Sequence, residues 1–151
     1  MAHEVWTPSV TVAAVIERDG TFLLVEEEAR GRIVFNQPAG HWERGESLTE
    51  ACARETLEET AYHFSPRELV GVYRWHSPEA DVTYLRFAFC GEITGHQPGR
   101  ALDGEIHRAV WLKLDEIRRL RARLRSPLVL ACIEDYLAGR RYPLDILRHF
   151  E

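Results

Sequence analysis

The 151-residue sequence lacks any apolar run near the roughly 20 residues that a helix needs to cross a bilayer. It opens with MAHEVWTPSVTV, which lacks the basic start and the apolar stretch of a signal peptide. Its three cysteines are too scattered for a disulfide framework or a zinc site. These absences argue against a membrane protein and a disulfide-stabilised secreted domain, and we expect the protein to be cytoplasmic.

Lysine is also scarce in this sequence, and acidic residues outnumber basic ones. The formal net charge is −5 at pH 7, and Lys113 is the single lysine among 19 basic residues. This balance disfavours nucleic-acid binding, which depends on the neutralisation of phosphate charge. We attach no functional meaning to the excess of arginine, because a GC-rich genome produces the same bias. An acidic protein also repels phosphorylated small molecules unless a cation lies between the two.

Six apolar or β-branched segments predict strands, and three segments with helical periodicity predict helices. The strands are expected at 9–18, 21–29, 32–38, 68–77, 81–93 and 108–114, and the helices from residue 48 onward, at 114–125 and at 126–139. The order βββ-α-βββ-αα predicts an α/β fold in which helices flank a mixed sheet. We expect a single domain over residues 1–151, with the C-terminal helices of 115–151 packed on it.

Turn and cap residues support these elements. Asp19-Gly20 predicts a hairpin turn between the first two strands. Ser47, followed three residues later by Glu50, predicts a capping box at the start of the first helix. In the last helix, Ser126 is the expected cap, and Pro127 and Gly139 mark its start and its end.

The first helix carries glutamates where apolar residues are expected. At about 3.6 residues per turn, Glu55 and Glu59 fall on one stripe with Leu48 and Cys52, and Glu58 lies on the flank of this stripe. A solvated helix with ion pairs at four-residue spacing would explain Glu58 together with its neighbours Glu50 and Arg54. It would not explain carboxylates on the core-facing stripe.

Converging carboxylates repel one another, and partial burial raises their pKa values. A bound cation would keep them ionised together. With no Cys or His ligand nearby, the set favours a hard ion, Mg²⁺ or alternatively Mn²⁺. Such an ion also inverts the local charge, which would let an acidic protein bind a phosphorylated ligand.

The residues of this segment resemble the Nudix box, G-x5-E-x7-R-E-U-x-E-E-x-G-U. Gly40, Glu46 and the run 54–59 match the box, whereas Ala61 stands in place of its last glycine. Thr56 and Tyr62 also replace residues that are usually aliphatic. The resemblance implies a Nudix-type α/β/α sandwich with a mixed β-sheet and the hydrolysis of a phosphoanhydride bond.

The resemblance also implies roles for individual residues. Glu55, Glu58, Glu59 and the backbone carbonyl of Ala39 are the implied metal ligands, with Glu105 as a further acidic ligand. Asp103 is an alternative to Glu105, and both acids also fit an ordinary loop. The implied catalytic residues are Glu55, which would orient or deprotonate water, Glu59, and Arg54, which would orient the glutamates through ion pairs that include Glu46.

Three residues are candidates for substrate binding. Arg86 alternates with apolar neighbours on its strand and would bind a phosphate, although a solvent-facing arginine fits the same pattern. Trp75 would stack on a base or a pyrimidine ring, and the alternative is packing on the core. Trp42 lies in the loop of the box and would cover a bound substrate.

Four further segments, NQPAGHWE, LRF, LRSPLV and GRRYPL, resemble a branch of bacterial phosphatases within the family. This resemblance implies the stepwise release of phosphate from nucleoside tri- and diphosphates and from hydroxymethylpyrimidine diphosphate. One alternative is a pyrophosphohydrolase that acts on a dinucleotide, ADP-ribose or capped RNA. A second alternative, a non-catalytic nucleotide-binding module, is disfavoured because no glutamate of the box is missing. The sequence leaves both a monomer and a homodimer open.

Overall fold

The computed structural model describes residues 3–151, so the first two residues of the predicted domain lie outside the described range. The elements are β1 (Ser9–Val15), β2 (Glu17–Arg18), β3 (Thr21–Ala29), β4 (Arg32–Asn36), β5 (Ala39–His41), α1 (Leu48–Thr60), β6 (Tyr62–Ser77), β7 (Val82–His96), β8 (Ile106–Lys113), α2 (Leu114–Arg119), α3 (Leu128–Leu137) and β9 (Tyr142–Pro143). Single 3-10 turns lie at Arg121–Arg123 and Leu144–Ile146. None of the helices between residues 3 and 151 has the length and apolar content that spanning a membrane requires.

The strands form two sheets. A five-stranded sheet has the order β5-β1-β7-β6-β9, and a four-stranded sheet has β3 paired with β2 and β4 and, separately, with β8. β1 runs parallel to β7, whereas the other pairs of the five-stranded sheet are antiparallel. The prediction of a mixed sheet is therefore confirmed.

Helices pack on both faces of the five-stranded sheet. Successive side chains of a strand point to opposite faces, so neighbouring residues of β7 contact different helices. Phe89 of β7 lies in one apolar cluster with Ala51 and Cys52 of α1. Its neighbour Ala88 lies in a second cluster with Val129 of α3. The result is the predicted α/β/α sandwich, with α1 and α3 on opposite sides of the sheet.

The predicted hairpin is present but is shorter than expected. Asp19 and Gly20 have φ values of 52° and 78°, as a two-residue type I′ turn requires. The turn joins only β2 to β3. The prediction that the run 9–18 pairs with 21–29 holds only for β2, because β1 belongs to the other sheet. The chain changes sheet near the buried residue Ile16.

Two further predictions on secondary structure need correction. The helix expected at 114–125 ends at Arg119 and is followed by a 3-10 turn. Like charges at four-residue spacing, Arg119 with Arg123 and Arg121 with Arg125, oppose a longer helix. The strand expected at 32–38 ends at Asn36, and the short strand β5 follows it.

The helix α1 begins as its sequence predicts. The hydroxyl of Ser47 accepts the N–H of Glu50, and the Glu50 side chain accepts the N–H of Ser47, which confirms the capping box. At the other end, Ala61 adopts the left-handed conformation with φ 64° and donates its N–H to the carbonyl of Leu57 at 2.9 Å. An alanine in this conformation costs about 1–2 kcal/mol relative to glycine, so the helix keeps the ending of the box without its glycine.

Candidate active site

Gly40 allows the carboxylate of Glu55 to reach the backbone of β5. A Cβ atom built on Gly40 would collide with the carboxyl carbon and both carboxyl oxygens of Glu55. β5 is the edge strand next to β1, and α1 packs against both strands. The absence of a side chain at this position therefore lets a helix residue place its carboxylate at the edge of the sheet.

Arg54 donates hydrogen bonds to three carboxylates of the same segment and lies 3.8 Å from a fourth, that of Glu43. Its Nε and Nη2 form a two-pronged contact with Glu46 at 2.9 and 2.8 Å. Its Nη1 donates to Glu55 at 2.9 Å and to Glu58 at 3.2 Å. Nη2 also donates to the backbone carbonyl of His41 at 3.1 Å. The hydrogen bonds to Glu46 and Glu55 raise the pKa of Arg54, and the guanidinium orients Glu55 and Glu58 relative to the strand β5.

Glu59 is nearly buried, with 8% of its surface exposed. Its Oε1 accepts the backbone N–H of Ala39 at 2.8 Å. Burial raises the pKa of Glu59 to about 9, and the nearby carboxylates of Glu27, Glu55 and Asp103 act in the same direction. Glu59 therefore contacts the N–H group of Ala39. The group of Ala39 that the resemblance implies as a metal ligand is a different one, its backbone carbonyl.

A carboxylate cluster lies beside α1. Oxygen atoms of Glu55, Glu58 and Asp103 all lie within 4.8 Å of one another. Asp103 reaches this place because its backbone N–H bonds to the carbonyl of Glu58 at 3.1 Å. Burial raises the pKa of Glu55, with the charges of Glu58 and Asp103 adding to the effect against the opposing influence of Arg54. An all-oxygen set with repelling charges fits a hard divalent cation.

The other predicted acids take different positions around this cluster. Glu59 and Glu105 line the adjacent cavity without belonging to the three-residue group. The structure brings Asp103, the alternative to Glu105, together with the helix glutamates. Sequence reasoning did not include Glu27, which is buried on β3 and borders the same cavity. Glu27 is the middle one of three consecutive glutamates in β3, and nothing in the sequence marked it as the buried one.

A cleft of about 920 Å³ begins at these carboxylates. Its floor is the part of the five-stranded sheet that lies on the same face as α3 but beyond the helix, and it includes Thr11, Tyr84 and Arg86. The β3–β4 hairpin forms one wall, and residues 124–128 at the start of α3 contribute another. The cleft therefore joins an acidic end with a floor that carries a buried arginine.

Arg86 is 6% exposed and points into this cleft. Its Nη1 donates to Oε1 of Gln37 at 2.8 Å, and its Nη2 donates to Oδ1 of Asn36 at 3.1 Å. It forms no ion pair within residues 3–151. The solvent-facing alternative for Arg86 is thus wrong. Sequence reasoning missed Asn36 and Gln37, because neighbouring residues of an extended strand are expected on opposite faces.

The aromatic candidates differ in position. Trp75 lines the cleft and stacks on Tyr84, with ring centroids 5.9 Å apart and an interplanar angle of 15°. Trp42 is 45% exposed, and its indole N–H donates to the carbonyl of Glu46 at 2.7 Å. The residues that line the cleft include Trp75 but not Trp42. Only one of the two predicted aromatic contacts therefore lies beside Arg86.

Comparison with known proteins decides the family. The family model of the NUDIX domain matches residues 6–131. The chain belongs to the Nudix family. Phosphatase NudJ of Escherichia coli K12 is 41% identical to this Nudix protein over 143 residues, which make up 95% of this chain and 92% of that protein. Phosphatase NudJ of Shigella sonnei gives the same values.

Solved structures agree with this family. A Nudix hydrolase from Nitrosomonas europaea has a TM-score of 0.94 and 55% identity to this Nudix protein, over 95% of this chain and 98% of the other. The solution structure of the Escherichia coli ORF135 protein has a TM-score of 0.70 and 25% identity, over 87% and 90% of the two chains. The predictions of a Nudix hydrolase and of a resemblance to a bacterial phosphatase of that family are confirmed.

Proposed function

We propose that this Nudix protein is a Mg²⁺-dependent phosphatase that releases phosphate from nucleoside tri- and diphosphates and from hydroxymethylpyrimidine diphosphate. The observation that carries the proposal is the polarity of the cleft. Glu55 lines the cleft and joins it to the carboxylate cluster that it forms with Glu58 and Asp103. On the floor of the same cleft lies Arg86, which is buried and hydrogen-bonded to two neutral amide side chains. The similarity to proteins named Phosphatase NudJ supports phosphate as the product.

Glu55, Glu58 and Asp103 would hold the cation, with Glu59 beside them. Mn²⁺ is the alternative ion, since it accepts the same oxygen ligands. When bound, the cation would neutralise charge on the phosphate oxygens. Arg54 contributes by holding Glu55 and Glu58 in place, so that they need no rearrangement when a phosphate arrives.

Glu55 is the proposed residue for orienting and deprotonating water. Its Oε1 accepts a hydrogen bond from Arg54, which leaves Oε2 for the attacking water. On the substrate side, Arg86 would bind a phosphate group, and Trp75 with Tyr84 would contact the ring of a base or a pyrimidine. Water would lose a proton to Glu55 and attack the terminal phosphorus. The anhydride P–O bond would break, the bridging oxygen would leave with the nucleoside or pyrimidine phosphate, and the terminal group would be released as inorganic phosphate.

The first test is the release of inorganic phosphate in the presence of Mg²⁺ from nucleoside di- and triphosphates and hydroxymethylpyrimidine diphosphate. Each assay is run with and without added inorganic pyrophosphatase. We expect phosphate to appear without the added enzyme. If phosphate appears only when pyrophosphatase is present, the product is pyrophosphate and a pyrophosphohydrolase replaces the phosphatase.

A matched pair of variants tests which downstream acid belongs to the metal site. We expect Asp103→Asn to raise the Mg²⁺ concentration that gives half-maximal rate by about 10- to 100-fold. Glu105→Gln is expected to change it less than about threefold, because Glu105 is outside the three-carboxylate group. The measurement is the initial rate as a function of free Mg²⁺. The opposite ranking of the two variants would assign the ligand role to Glu105.

A further inference from the structure

The guanidinium of Arg86 is surrounded by neutral acceptors. A buried cation is costly unless it is hydrogen-bonded and compensated by charge. The amide oxygens of Asn36 and Gln37 supply the hydrogen bonds, but they do not neutralise the charge. Only two of the five guanidinium N–H groups are needed for these two contacts. The side chain thus keeps its charge and part of its donor set for an anion in the cleft.

Gln37 can face Arg86 in only one way. The residue is 1% exposed, and its Nε2 donates to the backbone carbonyl of Val129 in α3 at 2.7 Å. Its Oε1 is therefore directed at Arg86. A flipped amide would place N–H groups against the guanidinium and an oxygen against the carbonyl of Val129. The position of α3 thus fixes the orientation of the acceptor that holds Arg86.

The ring contacts lie next to this arginine. Tyr84 precedes Arg86 by two positions on β7, so both side chains lie on the same face, about 7 Å apart along the strand. Trp75 pairs with Tyr84 in the register of β6 and β7. An anion on Arg86 and a ring on Trp75 and Tyr84 would therefore belong to one small molecule, in which a phosphate is joined to an aromatic ring through a short linkage.

We propose that Gln37 is a positioning residue for substrate binding. As a neutral acceptor fixed by Val129, it directs the guanidinium of Arg86 into the cleft and leaves its charge available for a phosphate group of the substrate. The inference rests on the proposed function, because the anion is taken to be part of the substrate. A carboxylate at the same position would pair with Arg86 and compete with that phosphate.

Gln37→Glu tests this role with almost no change in shape. We expect the KM for the best nucleoside diphosphate to rise by about 10- to 100-fold, as for the loss of a charge-assisted hydrogen bond. The kcat is expected to stay within about threefold, because the carboxylate cluster is unchanged. Thr94→Glu adds the same charge on an exposed, distant part of β7 and is expected to leave the KM unchanged.

A double-mutant cycle separates positioning from a purely structural role. If Gln37 acts through Arg86, Gln37→Glu in an Arg86→Gln background should change the KM less than about twofold. The proposal would be contradicted if the KM increases of the two single variants multiply in the double variant. It would also be contradicted if Gln37→Glu leaves the KM unchanged. If Gln37→Glu does not fold, Gln37→Met replaces it in the cycle. This variant removes both hydrogen bonds without adding charge, and an unchanged KM would likewise contradict the role.

Binding of inorganic pyrophosphate, measured by calorimetry in metal-free buffer, keeps this inference distinct from the proposed function. Gln37→Glu is expected to weaken this binding by about tenfold or more. If the wild type hydrolyses none of the tested compounds but binds pyrophosphate more tightly than Gln37→Glu does, the proposed function alone is overturned. Normal hydrolysis together with equal pyrophosphate affinity in both proteins would overturn the role of Gln37 alone.

Discussion

Replacement of Glu59 by glutamine is expected to lower the kcat of phosphate release by about 10²- to 10³-fold. The amide keeps an oxygen that can accept the N–H of Ala39, but it cannot ionise when a cation binds beside Glu55 and Asp103. The fold is expected to survive, because the site already raises the pKa of Glu59 to about 9 through burial. A neutral side chain of the same shape therefore suits this environment.

Steady-state kinetics with saturating Mg²⁺ and the thermal unfolding midpoint together check this prediction. Glu92→Gln is the matched control, since Glu92 makes only an exposed contact of 3.4 Å with Arg67. A Glu59→Gln variant with a kcat near that of the wild type would remove Glu59 from the catalytic residues. Loss of activity accompanied by unfolding would show that the side chain is required for structure.

The second prediction concerns the glycine of the box. In Gly40→Ala the new methyl group would overlap the carboxylate of Glu55. Because Arg54 holds that carboxylate in place, we expect a loss of about 1–3 kcal/mol in the free energy of unfolding, as for overpacking elsewhere. Displacement of Glu55 by about 1 Å is expected to cost about 10²-fold in kcat.

Chemical denaturation and kinetics of Gly40→Ala are compared with those of Gly99→Ala. A Cβ atom at Gly99 meets no atom within 4 Å, so this control is expected to match the wild type in stability and in rate. Wild-type activity in Gly40→Ala would mean that Glu55 can leave its place over β5 without loss. In that case another carboxylate would have to take the role of Glu55 in activating water.

The local parts of the site were predictable from the sequence. The capping box at Ser47 and Glu50 and the position of Glu59 on the buried side of α1 follow from helical periodicity, which depends on near neighbours. The strand β5 was not predicted. Ala39 and Gly40 have little intrinsic preference for a strand. The strand β5 is instead stabilised by its antiparallel pairing with β1.

The sequence by itself determined the family, the hydrolase assignment and the stripe of glutamates on α1. These depend on spacings within one short segment, and a helix converts such spacings directly into shared faces. Only the tertiary structure decided that Asp103 joins Glu55 and Glu58, and that Asn36 and Gln37 hold Arg86. Those contacts join residues more than 40 positions apart, so they depend on the pairing of strands and the packing of α3 against the sheet.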